Sequence, residues 1–271
     1  MPYPRVIPHS DGAGVIDAAG EDVDSARIGQ RVWIYGAQSY RPFGTAAQFT
    51  VVPSALAVDL PDSVPDEVAA CLGIPGITAH RAVFADGSVA GATVLVHGVL
   101  GGVAALAAQL AGRAGASVIG TVRRTSDLDA VDGSSVAHTV ALDQPDPAAA
   151  IREVAGGGVD RIIEVAYPDH ADLDAAIAKN GTIIAAYATR NDRPDFPFWP
   201  MLFDNITIRL LGSDDFPVVA KEQAAQDLTA AAAKGALSIP IGTPTLLART
   251  AEAHDQVDAG SRSRILLAIP D

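Results

Sequence analysis

Residues 91–124 read Gly91-Ala-Thr-Val-Leu-Val-His97-Gly98-Val-Leu-Gly101-Gly102-Val-Ala-Ala-Leu-Ala-Ala-Gln-Leu-Ala-Gly-Arg113-Ala-Gly115-Ala-Ser117-Val-Ile-Gly-Thr-Val122-Arg123-Arg124. Thr93 to Val96 are β-branched or apolar and predict a short, fully buried strand. A glycine turn follows, and then an alanine-rich helical run to about Arg113, with Gly115 as its stop. Ser117 to Val122 form a second β-branched segment. Strand, turn, helix and strand make a βαβ crossover, which imposes a parallel sheet.

The glycines of the turn have separable jobs. Gly98 permits a sharp exit from the strand, and Gly101 with Gly102 lets backbone amides approach a pyrophosphate. Ala104 stands where the helix must lie close on the strand. The helix start then offers free amides and the positive end of its dipole. A glycine loop that binds nothing is the blander alternative; the flanking strand, helix and strand favour a dinucleotide. The end of the second strand, Arg123-Arg124-Thr125-Ser126, carries guanidinium forks and hydroxyls where an NAD site places a carboxylate. Such donors match a 2′-phosphate, so the expected cofactor is NADP(H). A solvated surface pair is the alternative for the two arginines, and Asp127 and Asp129 read as a solvated helix start.

The chain has 271 residues, 49% of them hydrophobic, which suffices for one large or two small cores and argues against disorder. No apolar run reaches membrane-spanning length, and the opening MPYPRVIPHSD has no signal-like core. A net charge of −13 without a Lys/Arg-rich block speaks against nucleic-acid binding. The single cysteine, Cys71, excludes an internal disulfide and fits a reducing cytoplasm, with a small buried side chain as its expected role.

Around the central unit, residues 1–60 are rich in turns and short β-prone runs: Val15-Ile16, Arg31 to Ile34 and Phe49 to Val52. Gly12-Ala13-Gly14 has no helix-length run behind it and reads as strand and turn. Pro61 to Glu67 resembles a helix start, Gly73-Ile74-Pro75-Gly76 breaks that helix, and Ile77 to Phe84 resumes one. Beyond Arg124 the alternation continues. Strands are expected at Val136–Leu142, Val159–Val165, Thr182–Ala186, Ile206–Leu211 and Ile265–Ile269. Helices are expected at Asp146–Val154, Asp172–Ala178, Val218–Lys234 and Leu247–Ala259. Strands alternating with helices predict a doubly wound, parallel α/β sheet of Rossmann type.

Several blocks in order resemble the zeta-crystallin-like quinone oxidoreductase branch of the medium-chain dehydrogenase/reductase superfamily. They are Ile7-Pro8-His9-Ser10-Asp11-Gly12-Ala13-Gly14-Val15, Ile28-Gly29-Gln30-Arg31-Val32, Leu60-Pro61-Asp62, Gly76-Ile77-Thr78-Ala79-His80 and Val94 to Val103. The resemblance covers essentially the whole chain. It implies a partial chaperonin-10-like β-barrel domain over residues 1–65, rejoined by 240–271, and a Rossmann domain over 66–239. It also implies NADPH, hydride transfer to a quinone or an α,β-unsaturated carbonyl, and a homodimer, with edge pairing around Ile206 to Leu211 as a route. By the same resemblance Leu100, Gly101, Gly102 and Val103 cradle the pyrophosphate, and Arg123 and Arg124 take the 2′-phosphate. Thr78, Tyr187, Ala188 and Ser213 fall near the nicotinamide, and Arg264 matches a basic position before the closing strand.

Two departures stand out. Ser10 occupies the place of a zinc-ligating histidine, and one Cys with histidines at 9, 80, 97, 138, 170 and 254 gives no recognised zinc spacing, so no metal is expected. The chain also begins part-way through the family pattern, with Met1-Pro2-Tyr3-Pro4 next to the Ile7-Pro8 block. An incomplete barrel exposes strand edges, which makes a catalytically silent NADPH-binding protein one alternative function; an enoyl-thioester reductase is another.

Catalytic side chains are less legible than cofactor contacts. Thr78 is a candidate hydroxyl donor, with a helix-start hydroxyl as the alternative. Tyr40, beside Arg41, is a weaker candidate in a loop that also reads as plain surface. Phe196-Pro197-Phe198-Trp199-Pro200-Met201-Leu202-Phe203 concentrates aromatics among prolines and is expected to be an irregular loop over the substrate, a subunit contact or core. His97 is expected to pack beneath the glycine turn.

Overall fold

The computed structural model describes residues 3–270; Met1, Pro2 and Asp271 lie outside the described residues. In chain order the elements begin with strands β1 (Gly12–Val15), β2 (Arg31–Ile34) and β3 (Ala57–Asp59), then helices α1 (Asp66–Ala69) and α2 (Gly73–Phe84). An alternating run follows: β4 (Thr93–Val96), α3 (Gly102–Arg113), β5 (Ser117–Val122), β6 (His138–Ala141), α4 (Pro147–Ala155) and β7 (Val159–Glu164). It continues through α5 (Ala171–Ile177), β8 (Ala178–Ala186), α6 (Phe198–Phe203) and β9 (Thr207–Leu210). The chain closes with α7 (Val218–Ala233), β10 (Thr245–Leu246), α8 (Thr250–Asp258) and β11 (Leu267–Ala268). Two compact units result, one made of the residues up to Ile77 together with Ser213 onward, the other of Thr78–Gly212.

The second unit is the Rossmann sheet. Six strands in the order β6-β5-β4-β7-β8-β9 pair in parallel throughout. The order reverses between β4 and β7, and in such sheets ligands bind beyond the carboxyl ends of the strands at that reversal. Leu95, Ile119, Ile151, Ile162, Ile177 and Ile184 are wholly buried in its core. Each such side chain stabilises the fold by roughly 1.5–3 kcal/mol. Asp146 caps α4 by accepting from Ala149 N, and Gly156 ends that helix in the left-handed conformation (φ 68°). Inside β7, buried Arg161 gives its guanidinium to the last carbonyls of α2, Ala82 O (3.2 Å) and Val83 O (2.5 Å).

The first unit holds the partial barrel: β1, β2 and β3 pair antiparallel, and β10 pairs with β11 in parallel. Trp33 is fully buried there and donates its indole N–H to Thr229 (2.9 Å). Gly12-Ala13-Gly14 is strand.

Three expectations are corrected. Phe49 to Val52 is not a strand; Val51 is 90% exposed, and the partner of β2 is β3, which the sequence reading missed. Gly73-Ile74-Pro75-Gly76 opens α2 instead of breaking a helix. Proline is tolerated in a first turn, where no intrahelical N–H bond is lost. Gly73 is required there because a Cβ would lie 2.1 Å from Asp11 Cγ. Phe198–Phe203 is a helix, not an irregular loop, again with its prolines (197 as N-cap and 200) confined to the start.

Candidate functional site

The glycine turn leaves β4 through His97, whose N–H donates to Ile163 O on β7 (3.0 Å). Gly98 then adopts φ 62°, a conformation that L side chains rarely take, and Val99 N donates to Thr121 O (3.0 Å). Val99 packs flat on β5 because residue 120 is glycine: a Cβ there would lie 2.9 Å from Val99 Cγ1. Gly101 is the N-cap of α3 and has no side chain to occupy the first-turn amides. Leu100 and Val103 are half-buried, while Gly101 and Gly102 are exposed. An uncapped start on a twelve-residue helix, reached over bare glycines, fits the pyrophosphate of a dinucleotide.

Beneath the turn lies a buried polar relay that the sequence reading did not foresee. Thr121 Oγ1 accepts from Gly98 N (3.2 Å), which leaves its own proton for His97 Nδ1 (3.0 Å). His97 Nε2 in turn meets Asp174 Oδ1 at 2.9 Å and Glu164 Oε2 at 3.6 Å. Glu164 also accepts from Ala166 N (2.5 Å) and pairs with His170 Nδ1 (3.0 Å). Burial opposes the charge on Glu164, yet the His170 hydrogen bond and the nearby His97 hold its carboxyl below the usual range. Burial also opposes the charge on His170, but Glu164 lifts it above the ordinary histidine value. Burial drives Asp174 upward despite His97. Tyr167 is pushed up to about 12 by burial and by the charges of Asp174 and Glu164. His97 therefore packs beneath the turn, as expected, and does so as part of a hydrogen-bonded chain.

Ligand atoms of His97, Glu164 and His170 lie within 4.8 Å of one another, close enough to suggest a cation. The two imidazoles are stacked, however, with centroids 4.3 Å apart and planes 18° from parallel. Lone pairs in near-parallel planes cannot converge on one ion, so the geometry is that of a proton-sharing relay.

At the end of β5, Arg123, Arg124, Thr125 and Ser126 are all exposed. Asp143, just past β6, faces them. Its carboxylate accepts from Thr125 N (2.9 and 3.1 Å) and from Thr125 Oγ1 (2.8 Å). Those bonds, and then the charge of Arg124, hold its carboxyl below the usual range.

The remaining predicted residues are distributed over both units. Thr78 is buried in the middle of α2, so its hydroxyl is not a helix-start cap. Tyr187 follows β8, its N–H on Glu164 O (3.1 Å) and its phenol raised by burial and then by the Glu164 charge. Ala188 O accepts from Tyr167 N (3.1 Å). Ser213, Arg264 and Tyr40 belong to the other unit. There the Arg264 charge acts on Cys71 and on Asp11, a carboxyl pushed up by burial to about 6 despite its bond from Ile74 N (3.0 Å). Tyr40 is 69% exposed at φ 53° and donates its hydroxyl to Asp215 Oδ2 (2.6 Å).

No family model matches the chain. It is, however, 30% identical over 271 residues to the quinone oxidoreductase of Mus musculus, an alignment that covers 96% of this chain and 78% of that protein. The chain belongs to the quinone oxidoreductase family. The human quinone oxidoreductase is 29% identical over the same shares of both chains. Among solved structures, the Pseudomonas syringae quinone oxidoreductase superposes with a TM-score of 0.84 at 22% identity, covering 99% of this chain and 84% of that one. A mycobacterial protein complexed with NADPH gives 0.81 at 24% identity, over 99% and 84%. These likenesses establish a fold shared with those solved structures, and the protein is an oxidoreductase of the quinone oxidoreductase family. Two features of this quinone oxidoreductase relative carry no signal in sequence spacing. His97 and Asp174 are 77 positions apart, and Asp143 stands 18 positions from Thr125, separated by a turn and a strand.

Proposed function

We propose that the protein is an NADPH-dependent oxidoreductase that reduces a quinone or an α,β-unsaturated carbonyl. The observation that carries this reading is the uncapped α3 start over Gly101 and Gly102, combined with Arg123 and Arg124 at the end of β5. Bound NADPH supplies a hydride, so that a quinone taking up the hydride and one proton becomes the hydroquinone while the nicotinamide is left oxidised. Leu100 to Val103 hold the pyrophosphate through backbone amides, and the two guanidinium groups hold the 2′-phosphate. Tyr187 and Ala188, at the carboxyl end of β8, flank the nicotinamide, and Thr78 joins them in the cofactor set. The relay under Gly98 keeps the turn in its binding shape before the nucleotide arrives.

The test is NADPH binding and oxidation by the 271-residue chain with 1,2-naphthoquinone as acceptor and NADH as control. Turnover that favours NADPH supports the reading. Arg123→Asp/Arg124→Asp, at two exposed positions, is expected to fold and to lose at least tenfold in NADPH affinity while NADH binding stays within twofold. Unchanged NADPH affinity in that variant removes the 2′-phosphate assignment.

A further inference from the structure

We propose that Asp143 is a specificity-determining residue that weakens recognition of the ribose 2′-phosphate by occupying its donors, so that the enzyme also accepts the unphosphorylated nucleotide. This rests on the reading of Arg123 and Arg124 as the 2′-phosphate end of the cofactor site. The donors there are two guanidinium groups, the Thr125 amide and the Thr125 hydroxyl. Both Thr125 donors are already taken by one carboxylate: the amide reaches both Asp143 oxygens (2.9 and 3.1 Å) and the hydroxyl reaches Oδ1 (2.8 Å). A carboxylate held by an amide and a hydroxyl next to a guanidinium takes the contacts an incoming phosphate would use.

The position is fixed by the sheet and not by chance placement of a surface chain. Val122 and Ala141 are register partners on β5 and β6, and Leu142 N donates to Val122 O (2.9 Å). That pairing sets residue 143 level with residues 123–125 at the carboxyl ends of the strands, where a Rossmann sheet receives its ligand. A 2′-phosphate carries close to two negative charges. To bond Thr125 it must displace Asp143, and to leave Asp143 in place it must bind beside a like charge. Either route penalises NADPH and leaves NADH, with a neutral ribose hydroxyl, unaffected. Like charges of −1 and about −2 on the order of 5 Å apart in water repel enough to alter affinity about tenfold.

The experiment compares wild type with Asp143→Asn and Asp143→Ser. Asn keeps an oxygen for the Thr125 amide and removes the charge; Ser empties the seat altogether. Dissociation constants for NADPH and NADH are read by nucleotide fluorescence, with 2′,5′-ADP and 5′-ADP as competitors that isolate the adenosine end. Asp143→Asn is expected to bind NADPH and 2′,5′-ADP about tenfold tighter, with NADH and 5′-ADP within twofold of wild type. A wild type that binds NADPH, with both variants leaving the NADPH-to-NADH ratio unchanged, overturns the inference while the cofactor reading stands. Equal gains for both nucleotides overturn it as well, since the carboxylate would then act on the shared part of the molecule. Failure of every variant and of wild type to bind either nucleotide overturns the cofactor reading and this inference together.

Discussion

Thr121 offers the sharpest test of whether the buried relay holds the glycine turn. The side chain is wholly buried on β5, and its hydroxyl joins Gly98 N (3.2 Å) to His97 Nδ1 (3.0 Å). Thr121→Val keeps the shape and replaces that hydroxyl with a methyl group. The buried imidazole nitrogen and the part-buried Gly98 amide then lose this partner. Each stranded buried group costs roughly 1–3 kcal/mol, and the long Gly98 bond counts at the low end, so the total is about 2–4 kcal/mol. Thr121→Ser keeps the hydroxyl and removes one methyl group, at about 1 kcal/mol. The expected order of stability is wild type, then Ser, then Val. Urea unfolding followed by circular dichroism at pH 7 reads the differences as shifts of the midpoint at constant slope. Nucleotide titration supplies a second reading: Thr121→Val should weaken NADPH and NADH alike, by roughly threefold to tenfold, because the turn holds the pyrophosphate they share. If the Val variant resists urea as well as the Ser variant does, the hydroxyl carries nothing and the relay is a bystander. If only NADPH is weakened, the relay does not act through the turn.

Two further predictions concern the other unit and the sheet edge. Burial pushes the Asp11 carboxyl up to about 6 from its ordinary 3.8, so its stabilising share is complete below about pH 4 and is lost as pH rises through 6. Asp11→Asn keeps the acceptor for Ile74 N and should leave stability at pH 4 near wild type while gaining up to about 3 kcal/mol at pH 8; parallel stability–pH curves for the two proteins would remove the burial argument. Among the described residues strand β9 is paired only to β8, and Leu210 (76%), Phe203 (71%) and Trp199 (64%) stand exposed on or beside it. We expect a homodimer joined along this edge, with Leu210→Asp a monomer by light scattering; a wild-type monomer excludes it.

The stretch from Thr93 to Val122 was legible in the sequence because every local signal there agrees: β-branched strands, a glycine turn, alanine helix formers and a glycine stop. The observed bounds of β4 and β5 coincide with those expected from composition. Elsewhere proline misled. In the sequence Pro75 and Pro200 look like breakers, yet a helix accepts proline in its first turn, and only the backbone shows which turn is first. Strand β3 was missed because Ala57-Val58-Asp59 is three residues long and takes its shape from pairing with β2, not from propensity. The relay was illegible for a different reason. Glu164 and Asp174 look like solvated acids in a chain of net charge −13, and nothing in their spacing shows that both are wholly buried against His97.

These differences separate two kinds of information in the candidate site. The backbone that touches a pyrophosphate is written locally, since glycines state where a Cβ cannot go. What holds that backbone still, and what competes for its ligand, is written across strands. Gly98 is held through Thr121 by His97 and Asp174, whereas the ribose end is contested by Asp143. Because one device acts on the shared pyrophosphate and the other on the 2′-substituent, their perturbations must differ in signature. Thr121→Val should move NADPH and NADH together and downward; Asp143→Asn should move them apart, with NADPH gaining. A change at Thr121 that altered the ratio, or one at Asp143 that did not, would mean the turn and the ribose pocket are a single mechanical unit. The hydrogen bonds argue against that, for no bond links the Asp143–Thr125 pair to the His97 relay among the described residues.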